Sequence, residues 1–263
     1  MKHVKEMFPA DMINFQAIYT MWSREMKRTV RAKSRIIGAL GMPFFFLAFL
    51  SFGFGSVQFP GLGTGYINFL APGIIGMVIL FTSIFAGISV IWDRQFGFLK
   101  EIMVSPVNRL SIMLGRTIGG VTVSIFQGLL IFGISLLIGF SVTNISGILF
   151  TLIYMFLIST IFVSIGTSFA SKMQDMQGFQ LIMNFFIFPI FLLSGALFPL
   201  SALPSWLLAI TYINPLTYGV DGIRGSLIGI NHFPLLVDAG VLLAFSVAFV
   251  ALGSYLFGKT EVG

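Results

Sequence analysis

The chain has 263 residues, of which 57% are apolar and only 9% charged, against about 25% charged in a soluble protein. That sparsity excludes an ordinary globular domain, a disordered chain and a nucleic-acid binder, so the net charge of +6 matters by its location rather than its sum. With no cysteine and only two histidines, His3 and His232, disulfides, thiol chemistry and a zinc centre are excluded as well. A polytopic, all-α membrane protein remains.

Residues 1–35 are mixed and charged, without the apolar stretch of a secretory signal. At helical spacing, Arg24, Lys27, Arg28, Arg31 and Arg35 fall on one face, and Phe15, Ile18, Tyr19, Trp22 and Met26 on the other. An apolar, aromatic face against a basic one predicts an amphipathic helix lying in the membrane interface. Six apolar runs of spanning length follow within residues 36–257. They are Ile36–Phe54, with Pro43 inside, then Phe69–Trp92, Thr117–Phe140, Gly147–Ala170, Phe179–Phe198 and Pro234–Phe257. Basic residues in the connecting loops set orientation. With the N-terminus inside, all of the 15 Lys/Arg except Arg224 lie on the cytoplasmic side. The expected topology is six transmembrane helices with both ends in the cytoplasm, residues 258–263 forming a short cytoplasmic tail.

Residues 199–233 are too apolar for a solvated loop and too broken to span, because Pro199, Pro204 and Pro215 divide them. Short apolar pieces at a membrane read as re-entrant helices, here a pair dipping into the outer leaflet before the last span. Within it, Asp221 and Arg224 stand three apart and are expected to pair. Asp238, the one acid inside an apolar run, lies about one turn into the last span, where the outer interface or the helix's positive end would accommodate it. Gln127 and Asn184 are polar groups inside spans; interhelical hydrogen bonding is their first expected role, and lining a polar path the second.

Catalytic constellations are missing. Gly253 to Thr260 matches the nucleotide-binding pattern G-x-x-x-x-G-K-[ST] letter for letter, but that pattern works only between a strand and a helix whose N-terminal amides hold phosphate. Here an apolar span precedes it and three residues follow, so the match is accidental. Asn144-Ile145-Ser146 fits a glycosylation acceptor, yet a turn asparagine explains it.

The most informative stretch is residues 93–116. Phe96, Leu99, Ile102 and Met103 form an apolar ridge flanked by Asp93, Arg94, Lys100 and Glu101, and Pro106 ends it. A short amphipathic helix in a cytoplasmic loop could rest on lipid or fill a groove on a partner; the residues alone leave both open. Asp93-Arg94, Gly97, Lys100-Glu101, Ser105-Pro106, Arg109 and Gly115-Arg116 resemble the cytoplasmic signature of the ABC-2 exporter permeases. Asn214-Pro215, Tyr218, Asp221 and Arg224, with Leu203-Pro204-Ser205-Trp206 upstream, are similar to that family's motif before the last span. The flavour is that of the daunorubicin-resistance and nodulation-factor export permeases, and the likeness covers nearly the whole chain.

That resemblance implies a cell-membrane permease subunit without its own nucleotide site or cofactor, with ATP and Mg2+ held by a separate ATPase. It further implies a dimer of permeases, expected to be a homodimer, docked on two ATPase copies. Residues 93–105 would then be the coupling helix, through Arg94, Phe96, Leu99, Glu101, Ile102 and Met103, and Asn214, Pro215, Tyr218, Asp221 and Arg224 would mark the outer re-entrant pair. The 31 Phe, several of them in the first span, suit export of a hydrophobic drug or lipid. A lipid-linked glycan is the alternative cargo, and an ion-coupled secondary transporter the remaining class.

Overall fold

The computed structural model describes residues 13–55, 65–97 and 107–258. Leu99, Glu101, Ile102 and Met103, together with Lys100 and Pro106, therefore lie outside the described residues, as do Lys259 and Thr260 of the accidental nucleotide pattern. Every regular element among the described residues is helical: α1 (Phe15–Arg31), α2 (Lys33–Gly53), α3 (Tyr66–Phe85), α4 (Ile88–Gln95), α5 (Arg109–Ile138), α6 (Gly147–Lys172), α7 (Met176–Leu192), a 3-10 turn (Leu200–Ala202), α8 (Ser205–Thr211), α9 (Pro215–Ile228) and α10 (Leu235–Gly258).

Local chemistry sets the boundaries. Asn14, Asn108, Asp175 and Asn214 cap the starts of α1, α5, α7 and α9, each accepting a hydrogen bond from a backbone N–H of the first turn. Pro215 follows the last of these caps at the first helical position, where its missing N–H costs nothing. Gly139 and Gly229 close α5 and α9 in the left-handed conformation, with φ of 116° and 73°.

Among the described residues, five segments are long and apolar enough to cross a membrane: Ile36–Gly53, Tyr66–Gln95, Leu110–Ile138, Gly147–Lys172 and Leu235–Leu256. The sequence-based run Phe179–Phe198 becomes the shorter α7 of 17 residues, because the chain leaves the helix at Leu193 and turns through Gly195 at φ 72°. The predicted loop before the third run is also shorter than expected, since Arg109 to Arg116 already belong to α5.

The core is built on α3, which packs against α5, α6 and α9, while α10 lies along α6 and α9. From Phe69 to Leu80 every residue of α3 is buried. By contrast α2 is peripheral: Phe45, Phe49 and Phe52 are exposed and only Leu47 is fully enclosed among its large side chains. Bilayer hydrocarbon is as apolar as these rings, so such faces call for lipid or another apolar surface.

Several contacts leave no room for a Cβ. One on Gly147, at the start of α6, would stand 1.8 Å from the Ser226 carbonyl oxygen of α9. Gly147→Ala is therefore expected to cost about 1–3 kcal/mol, seen as a lower unfolding midpoint in detergent. Gly133→Ala in α5, where nothing lies within 4 Å, should cost nothing and gain up to about 1 kcal/mol of helix propensity.

Candidate functional site: a charged clasp and a buried helix

Basic residues gather at one end of the bundle, around the buried Asp93. A break at Ala86-Gly87 separates α3 from α4, and α4 then carries Asp93 and Arg94, whose side chains diverge by about 100° around the helix. Asp93, 5% exposed, accepts from Arg24 of α1 at 2.5 and 3.3 Å and from the buried Arg116 of α5. Arg94 donates to the Ser171 and Met173 carbonyls at the end of α6, at 2.6 and 2.8 Å. Those carbonyls are the unpaired, negative end of a helix, which a cation suits. Gln95 adds a bond to the Gln174 carbonyl, and Arg28 of α1 stacks over the Trp92 ring at 4.5 Å. One short helix is thus fastened to α1, α5 and the end of α6.

The N-terminal helix reaches this clasp because α5 has glycine where α1 crosses it. Cβ atoms on Gly115 and Gly119 would run into Ile18, Met21 and Glu25. Asn14 N–H bonds to Ser111 Oγ at 2.9 Å and Trp22 Nε1 to Thr122 Oγ1 at 3.1 Å. α1 is amphipathic as the sequence predicts, but its two faces are used differently. Ile18 and Trp22 turn toward the protein, Phe15 and Tyr19 remain exposed, and Arg24 and Arg28 fold inward to α4.

The second polar arrangement surrounds α9, whose residues 216–228 are all buried. Asn214 reaches the Ile190 carbonyl near the end of α7 at 2.6 Å, and Val220 fills the space over Gly76. Arg224 bonds the Phe69 carbonyl at 3.2 Å and the Gly195 carbonyl at 3.0 Å, with its guanidinium 3.8 Å above the Phe69 ring. Val220 and Arg224 thus match Gly76 and Phe69 in reverse order, so α9 runs antiparallel to α3. Val220 lies about 15 Å deep, the ten residues from Tyr66 to Gly76 at about 1.5 Å each, and from there α9 climbs back to the end away from the clasp. A re-entrant path of this kind is tolerable in a membrane only when enclosed by protein.

The predicted pair of Asp221 and Arg224 does not form. Asp221 instead accepts from the backbone N–H groups of His232 and Phe233, at 2.8 to 2.9 Å, and so anchors the turn into α10. Side chains three apart on α9 point to different neighbours here, and both find backbone partners nearer than each other. Tyr218 donates to the Tyr212 carbonyl at 2.8 Å. Asp238 does not reach an interface: it is 0% exposed, and neither carboxylate oxygen has a hydrogen-bond partner. Gln127 accepts from Thr82 at 2.6 Å, linking α5 to α3 as expected. Asn184 is exposed on α7 beside Phe185 and Phe188. Of the coupling residues expected from the sequence, Arg94 is committed to α6 and Phe96 is 72% exposed.

In the sequence Asp93 reads as a flank, Arg24 as part of a basic face and Arg116 as part of the cytoplasmic signature, with nothing to pair them. A signal was present, since Asp93 is one of only nine acids and lies among basic residues. Likewise Gly219, Gly222 and Gly225 repeat every third residue, and the structure seats Ile158, Tyr154 and Leu235 against them.

Removing one partner of a buried ion pair leaves the other uncompensated, at about 3–5 kcal/mol. Asp93→Ala should therefore lower the unfolding midpoint sharply by stranding Arg116. Arg24→Ala, whose side chain is 38% exposed, should cost at most about 1 kcal/mol. An Asp93→Leu/Arg116→Met double variant should recover much of the loss in the same melt.

The profile of the ABC-2 type transporter membrane family matches residues 16–228. The chain is 29% identical over 238 residues to the inner membrane transport permease YadH of Escherichia coli strain K12, covering 89% of this chain and 91% of that one. It is 25% identical over 260 residues to "Putative transport permease ycf38" of Cyanophora paradoxa, across 93% and 88% of the two chains. A shorter likeness, 26% over 157 residues, joins it to the probable multidrug ABC transporter permease YbhR of Escherichia coli strain K12, across 59% and 42%. This chain belongs to the ABC-2 type transporter family of multi-pass membrane permeases, transport subunits that normally work with a separate ATPase.

Proposed function

We propose that the chain is the permease subunit of an ATP-driven exporter that moves a hydrophobic or amphipathic substrate, a drug or a lipid, out of the cytoplasm. It works as a dimer of permeases, each docked on its own ATPase, with ATP and Mg2+ bound there. Six helices span the membrane: the five long ones and α7, with both termini and the clasp in the cytoplasm. The distribution of Lys/Arg supports this orientation, and α9 then opens toward the outer leaflet.

The observation that carries the reading is the clasp. The segment after Phe96 leads out of α4, and α4 is tied by Asp93 and Arg94 to α1, α5 and α6. Force applied to residues 98–106 by an ATPase reaches three other helices through charged hydrogen bonds rather than being lost in a loose loop. ATP binding biases a two-state rearrangement of the permease halves, and the groove-filling contacts are Phe96, Leu99, Ile102 and Met103. No residue here performs covalent chemistry. The exposed Asn184 supports a second permease or the transport path on that side of α7, because a lone amide facing lipid is unfavourable. The exposed rings of α2 and the multidrug name of one relative favour an apolar cargo.

The test is the Leu99→Asp/Ile102→Asp double variant, co-expressed with its ATPase in inside-out vesicles. The proposal expects normal insertion with ATP-dependent uptake reduced at least about tenfold; undiminished uptake contradicts the coupling role. One observation favours an ion-coupled reading, the buried and unpartnered Asp238. Asp238→Asn should leave ATP-driven uptake intact, whereas loss of uptake together with dependence on an ion gradient would favour that second reading.

A further inference from the structure

A cavity of about 770 Å³ opens between α6, α7 and α10, floored by the connection from α8 into α9. Phe169, Phe186, Ile190, Phe249 and Leu252 line it, and the surface turned to it is wholly apolar. At its mouth, at the clasp end of α6, stands Lys172, exposed and without an ion pair or hydrogen bond among the described residues. A lysine stem can lie along such a wall while its ammonium reaches the interface.

We infer that this cavity holds one acyl chain of an anionic phospholipid from the leaflet at the clasp end, with the phosphate against Lys172. Depth decides the leaflet. From Lys172 to Phe162 on α6 is about 15 Å, half of a hydrocarbon core about 30 Å thick, and Pro215 closes the cavity at that depth. Its length therefore matches one leaflet. Charge decides the headgroup, since the exposed Lys172, without a partner among the described residues, stands at the mouth, and a volume of this size accommodates an acyl chain.

Position on α7 decides between lipid and protein. At 3.6 residues per turn, Phe186, Pro189, Ile190 and Leu193 lie at least about 120° around the helix from Asn184. If Asn184 faces the second permease, as proposed above, the cavity faces away from it, into bulk lipid. That clause rests on the dimer reading; the apolar lining, depth and lysine do not. The site is on a different face of α7 from Asn184, and so apart from a transport path on that side.

Photolabelling of the full chain in phosphatidylcholine vesicles tests this directly. Phosphatidylglycerol or phosphatidylcholine probes carrying a diazirine in the acyl chain are added at trace level, and labelled peptides are located by mass spectrometry. The anionic probe should label the α7 and α10 walls about fivefold more strongly, the effect of about 1 kcal/mol per lysine at a charged headgroup. Lys172→Ala, an exposed change, should bring the two probes level, and Leu252→Trp should suppress labelling of the cavity while leaving the exposed face of α2 labelled. Equal labelling by both probes in the unaltered chain would overturn the assignment. So would a disulfide between copies in Leu252→Cys membranes, which would place a second copy there; the chain has no other cysteine. Neither assay needs the ATPase or transport, so failure here is separate from failure of the exporter reading.

Discussion

A buried carboxylate bound by two guanidinium groups is the constraint on which the arrangement of this chain rests. Asp93 cannot sit 5% exposed without compensation, because a desolvated, unpaired charge costs several kcal/mol. It therefore draws in Arg24 from α1 and Arg116 from α5, and the helix that bears it is also fixed to α6 by Arg94. The N-terminal helix is consequently part of the bundle. The same bonds that hold the end of the bundle together make it responsive, since α4 cannot tilt without moving three partners.

The far half of the molecule solves a different problem. α9 begins partway through the bundle, so its first turn and the polar groups along it must be satisfied by protein. Asn214 caps it and reaches α7, Arg224 takes carbonyls from α3 and the turn after α7, and Asp221 holds the turn into α10. Glycines along α9 and at Gly76 and Gly147 allow neighbouring helices close enough to enclose it. The two ends are joined through α3, which contacts α9 along its first half and leads into the clasp at its end. A change at one end has a continuous packed route to the other.

The long spans were legible because twenty-residue apolar runs have few alternatives, and the bounds of α6 and α10 fall within a few residues of the sequence reading. The division of residues 199–233 into short helices was legible through its prolines. Side-chain partnership was not. Asp221 and Arg224 are neighbours in spacing, yet each bonds to backbone brought near by other helices, 11 residues away for His232 and 155 for Phe69. Tertiary carbonyls and amides leave no mark in a sequence. The clasp was half visible: Asp93 and Arg94 stood out as a charged pair, but only the crossing of α1 over Gly115 and Gly119 brings Arg24 to Asp93. Asp238 was expected near an interface because helix position gives depth but not rotation; its rotation toward the core is what buries it.

The most direct measurement is a gentle-detergent pull-down of the tagged chain from its native membrane, with mass spectrometry of the partners and an ATPase assay of the eluate. The account predicts a stoichiometric soluble subunit with a genuine nucleotide-binding loop and vanadate-sensitive hydrolysis. A folded chain that elutes alone and is inert toward ATP would contradict it.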